Sequence, residues 1–180
     1  MLNQPVLQHR KTSLSIAIII PFVALLIPFI ASQSSAEFNW SVTDFVLVGT
    51  MLLVASLTFW FLSHKVTSRY CKTGIAIGIL AYLAAMWANL AVGIVGNPEN
   101  PVNLVFYALL LISTFITYLG KFSSKKLILA MLVPLIGFLV MASVAFFYNE
   151  PVHVQFICLS FSCIFAMSAW LINTGSRFRL

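Results

Sequence analysis

Charge is what this sequence lacks. Only 8% of its 180 residues are Asp, Glu, Lys or Arg, against roughly 25% in a soluble domain. With 61% hydrophobic residues and a mean hydropathy of +1.03, the apolar content exceeds what a core of this size can hide, so lipid must cover it. Residues 1–180 read as a single integral membrane domain with no room for a soluble one. Acids are the scarcest charge, four against ten Lys and Arg. The net charge of +6 would suggest nucleic acid in a soluble protein. Here the placement of the charges matters more than their sum, and no nucleic-acid partner is expected.

Cysteine and histidine are too few to build a framework or a metal centre. Cys71, Cys158 and Cys163 contain no Cys-x-x-Cys pair. Cys158 and Cys163 point to different faces of one expected helix, and all three are read as small buried apolar side chains. His9 lies in a tail, His64 at one membrane surface and His153 at the other, whereas two haem ligands must face each other at similar depth. His153 with Glu150 makes half a metal site. No cofactor and no metal are expected.

No Asp, Glu, Lys or Arg falls within the hydrophobic depth of any span, which argues against a proton-driven pump. Hydroxyls are frequent, among them Thr50, Ser56, Ser113, Thr114, Ser143, Ser162 and Ser168. A nucleophile needs a base within reach, and no His or Lys lies at that depth. The hydroxyls therefore read as partners for helical carbonyls and as packing groups. No catalytic residue is assigned.

What is present is a run of apolar segments punctuated by turns. Residues 14–31 are uncharged and contain Pro21 and Pro28, which should kink a helix whose freed carbonyls neighbouring helices can satisfy. The preceding basic residues and the following Ser-Gln-Ser-Ser-Ala also fit a signal cleaved after Ala36. The run of 18 exceeds the 7–15 of a signal core, so it is read as a retained first helix. Glu37 to Trp40 forms an interfacial turn, and Ser41-x-x-Asp44 matches a capping box before the helix at about 42–62. Asp44 is thus a helix cap first and a candidate surface carboxylate second.

The stretch Gly74–Asn103 is expected to organise the fold. Its first 23 residues are uncharged, enough to cross a bilayer core of about 30 Å. Gly74, Gly78, Ala81, Ala85, Asn89, Gly93 and Gly96 fall on one helical face, where neighbours can approach closely. A helix at 74–96 is therefore expected to be the central packing helix. Asn89 is the one polar side chain on that face and needs a hydrogen-bond partner. It reads as an interhelical bond, with a ligand contact near Asn97 and Asn103 as the functional alternative. Asn100 can cap a helix at 102–120 with Pro101 at its first position. Helices at 127–148, containing Pro134, and 152–173 complete the set. The last presents Gln155, Cys158, Ser162, Ala166, Ala169 and Asn173 on a face suited to the small face of the third.

All ten Lys and Arg then lie in the tails or in the second and fourth loops, and all four acids lie on the other side. This is the positive-inside pattern in every segment. The expected fold is all-α: a polytopic bundle of six transmembrane helices with both termini cytoplasmic. A three-plus-three inverted repeat is topologically allowed, but no sequence symmetry supports it.

Asn39-Trp40-Ser41 with Asp44-Phe45, Trp87-Ala-Asn89-Leu-Ala-Val-Gly-Ile-Val-Gly96, Asn100-Pro101-Val-Asn103 and Ser168-Ala-Trp170-Leu171 resemble a family of small bacterial polytopic inner-membrane proteins. The resemblance runs from about Arg10 to Arg177 and implies a location, not an activity. Such proteins often carry a Glu near the inner end of the second helix, where this chain has Phe59-Trp60-Phe61. The candidate functional or packing positions are Asn89, Trp87, Asp44, Asn97, Asn100 and Asn103. The first functional reading is a non-enzymatic membrane protein that packs with or assists other membrane components. Its partners would be the lipid bilayer, other membrane proteins or further copies of itself. The alternative is a small transporter or channel for a neutral or weakly polar solute, lined by Asn89 and the hydroxyls of helices two, four and six. A membrane-embedded enzyme comes third.

Overall fold

The computed structural model describes residues 4–34 and 40–177, with side chains from Ser13 onward. The cleavage point after Ala36, Glu37 to Asn39 of the interfacial turn, and Arg179 lie outside the described residues. The described chain is all-helical: α1 (Gln4–Ser34), α2 (Val42–Ser63), α3 (Arg69–Ala91), α4 (Leu104–Leu119), α5 (Ser124–Phe147) and α6 (Val152–Arg177). A short 3₁₀ turn, Pro101–Asn103, leads into α4. Six segments are long and apolar enough to cross a membrane, one in each helix, the fourth being α4 together with the 3₁₀ turn before it, Pro101–Leu119. Large apolar side chains point outward throughout, as lipid contact requires; Ile136, Phe156 and Trp170 are more than half exposed.

The chain divides into two compact units, Met1–Phe61 and Leu62–Leu180. In the first, α1 runs through Pro21 and Pro28 as one helix and begins at Gln4, ten residues before the expected start. Pro21 has no N–H to give the carbonyl one turn back, that of Ala17. Ser56 of α2 supplies the missing donor: its Oγ lies 2.7 Å from the Ala17 oxygen. At the start of α2 the capping box is complete. Ser41 donates to Asp44 Oδ2 from its N–H (2.8 Å) and its hydroxyl (2.7 Å), while the Asp44 N–H donates to Ser41 Oγ at 3.2 Å.

In the second unit α6 is the central helix, packed between α5 and α3, and α4 lies against α5. This corrects the expectation that the third helix is central. The small face of α3 does meet α6, as its spacing predicts. A Cβ on Gly74 would lie 2.8 Å from the Ser168 carbonyl oxygen, and one on Gly78 2.8 Å from Ser168 Oγ. Ser168 Oγ donates to the Gly74 carbonyl at 2.7 Å. On α6 the buried face carries Cys158, Ser162, Phe165, Ser168, Ala169, Ile172 and Gly175. Ala166, expected on that face, is exposed, and Gln155 and Asn173 are half-buried. The expected positions keep the helical period and hold one face, and the buried face lies to one side of it, turned toward Val154, Phe165, Ser168 and Ile172. Cys71 and Cys158 are buried as expected, while Cys163 is exposed.

The core contains an aromatic cluster centred on Phe138, whose ring centroid lies 4.9 Å from Phe106, 5.1 Å from Phe161 and 5.9 Å from Phe165. Tyr82 joins it through Phe165 at 4.8 Å. Two connections use left-handed backbone at residues other than glycine. Asn149 (φ 53°) closes α5 in a Schellman-type turn, with Glu150 N–H on the Ala145 carbonyl at 2.9 Å. Between α4 and α5, however, Lys121 (φ 48°) and Phe122 (φ 60°) turn the chain, and not Gly120. Gly120 instead makes room for the Lys126 side chain.

Candidate functional site

The third helix stops at Ala91, five residues before the expected end. Gly93 and Gly96 leave the small stripe and take φ values of +75° and +68°, conformations that side chains disfavour. The segment that results is non-helical and turns back into the bundle, burying Ile94 and Val95 against Ala81, Ala85 and Phe106. Buried irregular backbone needs internal hydrogen bonds. Asparagines provide them.

Asn89 and Asn103 are both almost fully buried. Asn89 Nδ2 donates to the Asn103 carbonyl at 3.0 Å, and its Oδ1 accepts from Ile94 N–H at 3.4 Å. Asn103 Oδ1 accepts from Val95 N–H at 3.0 Å. Its Nδ2 donates to the Val95 carbonyl at 3.1 Å and to the Asn97 carbonyl at 2.8 Å. Asn100 Oδ1 accepts from Val102 N–H at 3.0 Å, the expected cap, with Pro101 at the first position. Asn97 Oδ1 accepts from Glu99 N–H at 3.0 Å in an exposed Asx turn.

Of the candidate positions, the structure therefore gathers Asn89, Asn97, Asn100 and Asn103. Trp87 is half exposed on the outward side of α3, and Asp44 belongs to the cap of α2 in the first unit. The sequence reading centred on Asn89 missed the larger share carried by Asn103, whose side chain bonds three backbone groups across the turn. The available signal was its place two residues after a helix-starting proline.

The hydroxyls do not form one lining. Pro134 leaves the Ala130 carbonyl without its helical donor. Ser113 of α4 donates to it at 2.8 Å, and Tyr82 of α3 donates to Ser113 Oγ at 2.5 Å. Ser162 donates to the Leu135 carbonyl at 2.8 Å. Thr50, Thr114 and Ser143 bond the carbonyl four residues back on their own helices. Among the described residues no three His, Cys, Asp or Glu side chains gather. A surface groove of about 520 Å³ lies at the α5–α6 turn, lined by Phe146, Phe147, Asn149, Glu150, Val152 and Gln155.

By length and composition of its helices the chain is a multi-pass integral membrane protein. No family model, no curated protein and no solved structure matches it.

Proposed function

We propose that this chain is a non-enzymatic protein of the bacterial inner membrane, with both termini cytoplasmic, that packs with or assists other membrane components. The observation that carries this reading is where the motif residues spend their chemistry. In Trp87-x-Asn89-x-x-x-Gly93-Ile94-x-Gly96 and Asn100-Pro101-x-Asn103, the glycines supply backbone conformation, Ile94 fills the core, and Asn89, Asn100 and Asn103 bond backbone groups of their own turn. A motif used in this way builds a rigid membrane element, and supports membership of the small inner-membrane family that it resembles. The interhelical hydroxyls support the same reading, since Ser113, Ser162 and Ser168 are engaged by neighbouring carbonyls.

Crosslinking in native membranes, followed by purification and mass spectrometry of bound protein and lipid, tests this. Recovery of a defined membrane partner is the expected result. A chain recovered without one, yet carrying a solute across liposomes in an Asn89-dependent way, would replace this reading with the transporter.

A further inference from the structure

We propose that the basic end of the second unit binds the phosphates of anionic phospholipid headgroups. This rests on the reading of the chain as embedded in a bilayer. Among the described residues seven cations meet there: Lys65 in the connection before α3, Arg69 and Lys72 in the first turn of α3, Lys121 in the α4–α5 turn, Lys125 and Lys126 in the first turn of α5, and Arg177 in the last turn of α6. One apolar cluster holds these places together. Cys71 and Ile75 of α3, Leu127 of α5 and Ile172 of α6 are buried in it, with Phe122 of the turn packed against it. The end of α6 closes on the start of α3, where a Cβ on Gly175 would lie 2.6 Å from the Cys71 nitrogen.

The charge at this end is of one sign. The unit's two acids, Glu99 and Glu150, lie in the α3–α4 and α5–α6 connections at the opposite end. Each N-terminal turn of α3 and α5 lacks an acid, and neither Ser68 nor Ser123 caps it with its side chain. Cations in those turns add to the positive end of each helix dipole instead of opposing it. An external anion relieves that accumulation. In a bilayer the anions at this depth are headgroup phosphates, and a headgroup without its own ammonium leaves its charge available to Lys and Arg.

The full chain in nanodiscs of phosphatidylcholine, with and without phosphatidylglycerol, provides the test. Native mass spectrometry should find phosphatidylglycerol retained in preference to phosphatidylcholine. The unfolding temperature should rise with its fraction, and both effects should fade as salt screens the charges. Arg69→Gln with Lys72→Gln, or Lys125→Gln with Lys126→Gln, should lower the preference by about tenfold at low salt, and all four together should abolish it. Glu150→Gln, at the other end, should leave it intact. Equal retention of the two lipids by the wild type would overturn the proposal. So would an undiminished preference in the fourfold variant or, should that variant not fold, a wild-type preference indifferent to salt. Failure of the wild type to enter nanodiscs at all would instead overturn the membrane reading beneath it.

Discussion

Ser113 donates from its hydroxyl to the carbonyl of Ala130 at 2.8 Å, the same carbonyl that Pro134 deprives of its helical N–H. In the first unit Ser56 does the same for Ala17, four residues before Pro21, at 2.7 Å. Each proline weakens its own helix and creates an acceptor that a neighbouring helix can use. Helix breaking is thereby converted into helix pairing.

Ser113→Ala is expected to cost about 1–3 kcal/mol, because it leaves the Ala130 carbonyl and the Tyr82 hydroxyl unpaired. Pro134→Ala returns an N–H to that carbonyl, so the serine should matter less in its presence. Unfolding of the two single variants and the double in detergent should give a coupling of about 0.5–3 kcal/mol. Strict additivity would show the bond and the proline to be independent.

Hydroxyls that cross between helices should separate from those that bond their own helix. Ser162→Ala and Ser168→Ala are expected to lose about 1 kcal/mol or more. Thr114→Ala and Ser143→Ala, both exposed, should stay within about 0.5 kcal/mol of wild type. A thermal-shift series on the four variants reads this directly, and equal losses in both classes would contradict it.

The glycines of α3 differ in what they face. Gly74→Ala drives a methyl toward the Ser168 carbonyl, which is backbone and cannot step aside; Gly78→Ala meets Met131 Sδ, the flexible part of a side chain, at 2.5 Å. Gly74→Ala should therefore be the more damaging, within an overpacking range of about 1–3 kcal/mol. Comparable accumulation and thermal stability of the two variants would argue against close contact at Gly74.

Asn89→Leu should cost about 1–3 kcal/mol by stranding the Asn103 carbonyl and the Ile94 N–H. Asn103→Leu should cost more, since it strands three backbone groups, the Val95 N–H and the Val95 and Asn97 carbonyls. Unfolding temperatures ordered wild type, Asn89→Leu, Asn103→Leu are expected. An Asn89→Leu protein as stable as wild type would return Asn89 to the role of a ligand contact.

A reporter active only outside the cytoplasm should be silent when fused after Leu180. Strong activity there would reverse the orientation inferred from the charges.

Sequence alone determined the number of spans, the Ser41–Asp44 cap, the Asn100 cap with Pro101 behind it, and which carbonyls would lose donors. These follow from composition, local spacing and the covalent chemistry of proline, none of which needs a neighbour. Tertiary structure decided the rest. Period and hydropathy give a residue a face and a depth, but not the helix opposite it, so the partners of Ser56 and Ser113, the centring of the core on Phe138, and the central place of α6 were not legible. Gly93 and Gly96 read as a continued small stripe because a glycine looks the same in sequence whether its φ is negative or positive. Only the burial of Ile94 and Val95 beneath Asn103 selects the positive values and ends α3 at Ala91.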